Sequence, residues 1–172
     1  LNWIGEWDNS KVVVKVRLYR NEPWAEVLIT TIWNTKHALL KCNVKNVTGF
    51  DSRVDGIPGS FQQRPLDGSE FPFHDWTMLN VKNSHDKLAL ISPDIFSLDC
   101  DSNAVALTLL RSPVYAHDLG TKLNPDWEYD YTDQGRHDYR TLLYLGEDNE
   151  PRDILRIAQQ IQQAPVTWDM PW

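Results

Sequence analysis

In Lys11-Val12-Val13-Val14-Lys15-Val16-Arg17-Leu18-Tyr19-Arg20, the residues Val12, Val14, Val16 and Leu18 share one face of an extended chain. Lys11, Lys15 and Arg17 share the other face with Val13. Side chains alternate across a strand with a period of two, so this run predicts a half-buried β-strand. Asn21-Glu22-Pro23 is turn chemistry. Ala25 to Trp33 then alternates again, with Val27, Ile29, Thr31 and Trp33 opposite Leu28, Thr30 and Ile32. Asn34-Thr35-Lys36 interrupts the pattern, and Ala38 to Val44 supplies another short strand. Three strands at this spacing predict an antiparallel meander.

Downstream, Thr48 to Asp75 carries Gly49, Gly56, Pro58, Gly59, Pro65, Gly68 and Pro72, which predicts a long irregular segment. A loop of that length inside a compact domain is usually functional. Lys87 to Ile91 and Asp94 to Cys100 read as paired strands around Ser92-Pro93. Ala104 to Arg111 reads as an apolar strand, and Asp138 to Leu145 as one more after a second irregular stretch. The one helix signal is late. Pro151 suits the first helical position and Asp153 the positive end of the helix dipole. Ile154, Ile157, Ala158 and Ile161 recur at helical spacing, and Pro165 closes the run. Many strands with one short C-terminal helix define an all-β chain, most simply an antiparallel β-sandwich spanning residues 1–172 as a single domain.

The 172 residues include 17 Lys+Arg and 24 Asp+Glu, for a net charge of −7. No run approaches the roughly 20 apolar residues of a membrane helix. The acidic balance, with no cluster of Lys and Arg, argues against nucleic acid as a partner. Cys42 and Cys100 sit in apolar runs, where buried free thiols are expected, with one disulfide as the alternative in a secreted chain. Two cysteines and no signal segment favour a cytoplasmic location. Asn46-Val47-Thr48 fits a glycosylation acceptor, a match too short to carry weight. The opening at Leu1, without a start methionine, leads us to expect a piece of a longer polypeptide.

Four histidines precede aspartates: His74-Asp75, His85-Asp86, His117-Asp118 and His137-Asp138. Both side chains ligate zinc. Neighbours in a strand point to opposite faces, however, and the spacings fit no short zinc motif, so no protein-supplied metal site is expected. Asp126, Glu128, Asp130 and Asp133 form an acidic stretch, and paired carboxylates are what glycoside hydrolysis needs. Such a stretch is more often a solvated loop, and no catalytic residue is assigned. Trp76, Tyr115, Trp127, Tyr129, Tyr131 and Tyr139 flank the irregular segments. Two readings stand for them: flat faces that cover a sugar ring among polar partners, or plugs closing the ends of a sandwich.

Leu107-Thr108-Leu109-Leu110-Arg111-Ser112-Pro113-Val114-Tyr115, followed by Thr132-Asp133-Gln134-Gly135-Arg136-His137-Asp138-Tyr139, resembles the C-terminal β-domain of glycoside hydrolase family 38 α-mannosidases. Trp33 to Lys41 is similar to that family's strand with a Trp, then a His or Glu, then Leu-Leu-Lys. Arg64-Pro65, Trp76, Leu88-Ala89-Leu90-Ile91 and the helix ending at Ala164-Pro165 fall in matching order, so the likeness spans roughly Lys11 to Pro165. Leu145-Gly146 departs from the Pro-His of many relatives.

The resemblance implies a galactose-mutarotase-like supersandwich from a zinc-dependent retaining α-mannosidase. Zinc and nucleophile would then belong to an N-terminal barrel outside this sequence. No cofactor is expected in this chain. Its implied partners are that barrel and an α-mannoside or oligosaccharide substrate. Substrate-proximal roles are expected for Arg111, Tyr115, Asp133, Gln134 and His137, whose side chains suit hydroxyl recognition. The bland alternatives are a strand-end Arg111 and an Asp133-Gln134-Gly135 turn in which Gly135 takes a positive φ. Two rival functions are a self-sufficient carbohydrate-binding module and a metal-stabilised structural domain.

Overall fold

The structure, a computed structural model, describes residues 1–117, 120–147, 149–163 and 168. Twelve strands and one helix follow in order: β1 (Asn2–Trp7), β2 (Ser10–Leu18), β3 (Trp24–Trp33), β4 (Leu39–Lys45), β5 (Phe50–Ile57), β6 (Ser60–Arg64), β7 (Glu70–Pro72), β8 (Trp76–Val81), β9 (Asp86–Ile91), β10 (Ser97–Cys100), β11 (Ala104–Arg111), β12 (Gly135–Glu147) and α1 (Pro151–Gln162). They form two antiparallel sheets, one of eight strands in the order β1-β2-β3-β12-β9-β8-β5-β6 and one of four in the order β4-β11-β10-β7. The chain is an all-β sandwich with one short helix, as its periodicity predicts.

Alternation in β2 and β3 has the predicted consequence. Val27, Ile29, Thr31 and Trp33 are buried, and Val12, Val14 and Val16 pack against the same core. That core joins Leu79, Leu90 and Tyr139 of the large sheet to Leu98, Cys100, Val105 and Leu107 of the small one. A second core lies on the far side of the large sheet, where Ile154 and Ala158 of α1 cover Trp76, Met78, Ala89, Ile91 and Leu142. The helix starts at Pro151, and the Asp153 carboxylate accepts a hydrogen bond from the Glu150 backbone N–H at 3.1 Å. Its predicted stop at Pro165 lies outside the described residues.

Four expectations are corrected. Only β2 and β3 pair as the predicted meander; β4 crosses to the small sheet and pairs with β11. Lys87–Ile91 and Asp94–Cys100 are not partners, because β9 and β10 belong to different sheets. The irregular segment Thr48–Asp75 contains β5, β6 and β7. Its Gly59 takes a φ of +75° in the two-residue turn between β5 and β6, a hairpin signal and not a breaker. Gly56 sits where a Cβ would lie 2.4 Å from the His74 carbonyl oxygen and 2.7 Å from Trp76 Nε1, so a close approach requires glycine there. Trp76 is correspondingly a core residue of β8, 1% exposed, and no loop aromatic. Tyr139 is likewise buried.

Candidate functional site

At one end of the sandwich, β3 turns into β4, β11 ends, and β12 begins. Buried Ser112 ties these together. Its Oγ donates to the Thr35 carbonyl (2.8 Å) and accepts from Trp33 Nε1 (3.2 Å), while the Ser112 backbone N–H donates to the Ala38 carbonyl (2.8 Å). Val114 bridges Tyr131, and the Tyr115 N–H donates to the Asp130 carbonyl, so the acidic stretch returns alongside the chain leaving β11.

All five residues singled out in the sequence meet at this end, in two different roles. Asp133 Oδ2 accepts from the Arg111 backbone N–H at 3.0 Å. Gln134 Nε2 donates to the carbonyls of Thr35 and Thr132, each at 3.2 Å. His137 Nε2 lies 3.1 Å from the Asp133 carbonyl, and its ring stacks on Tyr139 at 14°. These three side chains brace the entry to β12. Asp133 and Gly135 take φ of +51° and +102°, the turn conformation expected of Asp133-Gln134-Gly135. Burial, then the nearby charges of Asp133 and Asp94, push the Tyr139 hydroxyl up to about 12.

Arg111 and Tyr115, by contrast, turn outward; Tyr115 is 68% exposed, as is Trp127. At the same end Tyr131, one of the loop aromatics singled out in the sequence, meets His37, which was not singled out for the site. Tyr131 Oη lies 3.0 Å from His37 Nε2, with the rings edge to face, and Lys36 Nζ lies 4.8 Å from the Tyr131 ring centroid. This pair separates two shallow hollows. One, of about 450 Å³, is lined by Lys36, Trp127, Glu128, Tyr129, Asp130 and Tyr131. The other, of about 410 Å³, is lined by His37, Ala38, Leu39, Glu70, Arg111 and Pro113. The His of the Trp33-to-Lys41 resemblance was the only sequence signal for His37. Glu70 had none, because it falls in the segment read as irregular.

Glu70 is fixed on the outer face of the small sheet. Ser97 and Thr108 hydroxyls donate to one of its oxygens, and Lys41 Nζ reaches the other at 3.1 Å while also pairing with Asp99. The Ser97 bond is the largest cause holding the Glu70 carboxyl at about 2; burial opposes it, and the bonds from Thr108 and Lys41 add to it. In the hollow that Glu70 shares with Arg111 and His37, the carboxylate can accept and the guanidinium can donate to sugar hydroxyls.

Among the described residues, no three His, Cys, Asp or Glu side chains converge as a metal site. His74 Nδ1 instead pairs with its own neighbour Asp75 at 2.6 Å, made possible by a φ of +68° at Asp75, while Asp138 is taken by Arg136 and Thr30. Asp118 lies outside the described residues. Cys42 and Cys100 are free thiols. Burial raises both, Cys100 to about 12.

Residues 3–128 match the glycosyl hydrolases family 38 C-terminal domain. The chain belongs to this family. The family 38 C-terminal domain is similar in fold to a solved protein of glycosyl hydrolase family 38 from Enterococcus faecalis, with a TM-score of 0.66 and 14% identity. It is similar also to a solved α-mannosidase from Enterococcus faecalis V583, with a TM-score of 0.65 and 14% identity. In each case 88% of this chain is covered, and the chain spans 17% of the solved protein's length. No curated protein sequence matches. No helix among the described residues is long and apolar enough to cross a membrane.

Proposed function

We propose that this domain is the C-terminal β-sandwich portion of a zinc-dependent retaining α-mannosidase, a cytoplasmic enzyme that hydrolyses terminal α-mannosides. Zinc and the nucleophilic carboxylate belong to an N-terminal catalytic barrel of the same polypeptide, so the chain is inactive alone. Its own part is to support that barrel and to wall the substrate cleft. The observation that carries this reading is the outward surface of Arg111, Tyr115 and Trp127 around the His37–Tyr131 pair, in a chain that belongs to family 38. Arg111 offers a fork of N–H donors to sugar hydroxyls, and Tyr115 a flat face. Asp133, Gln134 and His137 act on substrate indirectly, by holding the turn from which Arg111 and Tyr115 project.

The test is steady-state kinetics of the intact enzyme on an aryl α-mannoside. Arg111→Ala and Tyr115→Ala are each expected to lower kcat/KM about tenfold, the size of one lost polar or stacking contact. Unchanged kinetics in both variants would remove the cleft-wall role. The exposed Tyr115 and Trp127 also favour a second reading, a self-sufficient carbohydrate-binding module. It requires chemical-shift changes at those residues when the isolated domain meets millimolar mannose, and a silent NMR titration eliminates it.

A further inference from the structure

The large sheet extends past the small one on the β1 side. Register places Trp3 opposite Val14 and Gly5 opposite Val12, so Trp3, Gly5 and Trp7 lie on the same inward face as the core valines. Yet Trp3 is 57% and Trp7 71% exposed. Across from them β4 is the outermost strand of the small sheet, and among the described residues it pairs with β11 only. The space between is an apolar groove of about 320 Å³ whose walls include Trp3, Trp7, Val12, Val14, Leu40 and Cys42. The Trp3 ring lies against Gly5, where a built Cβ would sit 2.2 Å from it.

We propose that the open flank of β4 receives one further β-strand, an extended segment with alternate apolar side chains, from the rest of the polypeptide. Stacked sheets lie roughly 10 Å apart, so the layer facing β1 has room for one backbone. An unpaired edge offers that backbone a row of N–H and C=O groups, and the groove takes its alternate side chains. Charge does not guard the middle of this edge, since Lys41 is held by Glu70 and Asp99 on the outer face. The solved relatives, of which the chain spans 17%, have ample further sequence to supply a strand. This inference rests on the reading that the chain is part of a longer α-mannosidase.

Amide hydrogen exchange and thiol labelling of the intact polypeptide test it. Alternate amides of Leu39–Lys45 on the open flank should be as protected as those of β11, and Cys42 should resist labelling. Trp7→Lys, at a position the domain leaves exposed, should speed exchange of those amides about tenfold or more. Exchange as fast as that of β6, the far edge of the large sheet, overturns the proposal. Protection that disappears on dilution also overturns it, because the occupant is then a second copy of the chain. If β4 is protected but the polypeptide shows no α-mannosidase activity, the functional reading fails and the strand addition stands. An active enzyme with an open β4 gives the reverse.

Discussion

Arg53 and Asp55 are both fully buried, and Arg53 Nε donates to Asp55 Oδ1 at 2.7 Å, an oxygen that also accepts from the Thr77 hydroxyl. They point into the main core, with the guanidinium 5.8 Å from the Phe71 ring centroid. Removing one partner strands the other charge in a dry site. Asp55→Ala should therefore cost about 3–5 kcal/mol, while an apolar pair of similar volume should come out near neutral; urea melts of both variants measure this. Glu70 gives a prediction of a different kind. Its carboxyl lies at about 2 in the folded chain against the usual 4.5. A depressed carboxylate adds stability at pH above about 4.5 and loses it as pH falls towards 2. Glu70→Gln should flatten the acid side of the stability profile in that window by removing this contribution above pH 4.5 and matching the parent near pH 2, a modest loss because the side chain is 42% exposed and partly screened by solvent.

Strands with one wet face were legible as alternation in β2 and β3, and β9 and β12, dry on both faces, as apolar runs, but β5 and β8 were not legible. β2 and β3 alternate because one face meets the core and the other meets solvent. In β8, Trp76 and Met78 lie under α1 while Thr77, Leu79 and Val81 face the sandwich, so no alternation survives. In β5, the core pair Arg53 and Asp55 reads as polar surface, and Gly56 reads as a break. β1 was hidden by Gly5 and by inward tryptophans that nothing in the described chain covers. The site was half legible for a related reason. Residue type marked Asp133, Gln134 and His137 as polar and local, but only the fold separates bracing side chains from the free Arg111 and Tyr115. The helix was clear from its spacing, and its energetics follow. Ile154 is fully buried against the β8–β9–β12 surface, so Ile154→Ala should destabilise the domain by about 2–5 kcal/mol, measurable by thermal or urea unfolding.

At the scale of the molecule, both cores lean on opposite faces of one sheet. Neither persists without it, so unfolding should be a single transition, with far-UV and near-UV circular dichroism coinciding in urea. Two separated midpoints would mean that α1 and its core melt independently. The strand order of that sheet carries one more consequence. β12 lies between β3 and β9, joined to Trp24–Trp33 on one side and Asp86–Ile91 on the other, and among the described strands it is made after all the others. As the chain leaves the ribosome, β1-β2-β3 and β9-β8-β5-β6 are two half-sheets with facing raw edges and nothing yet to join them. A nascent chain stalled before Gly135 holds the whole small sheet but only two separate parts of the large one, and thirteen late residues turn those two halves into one surface.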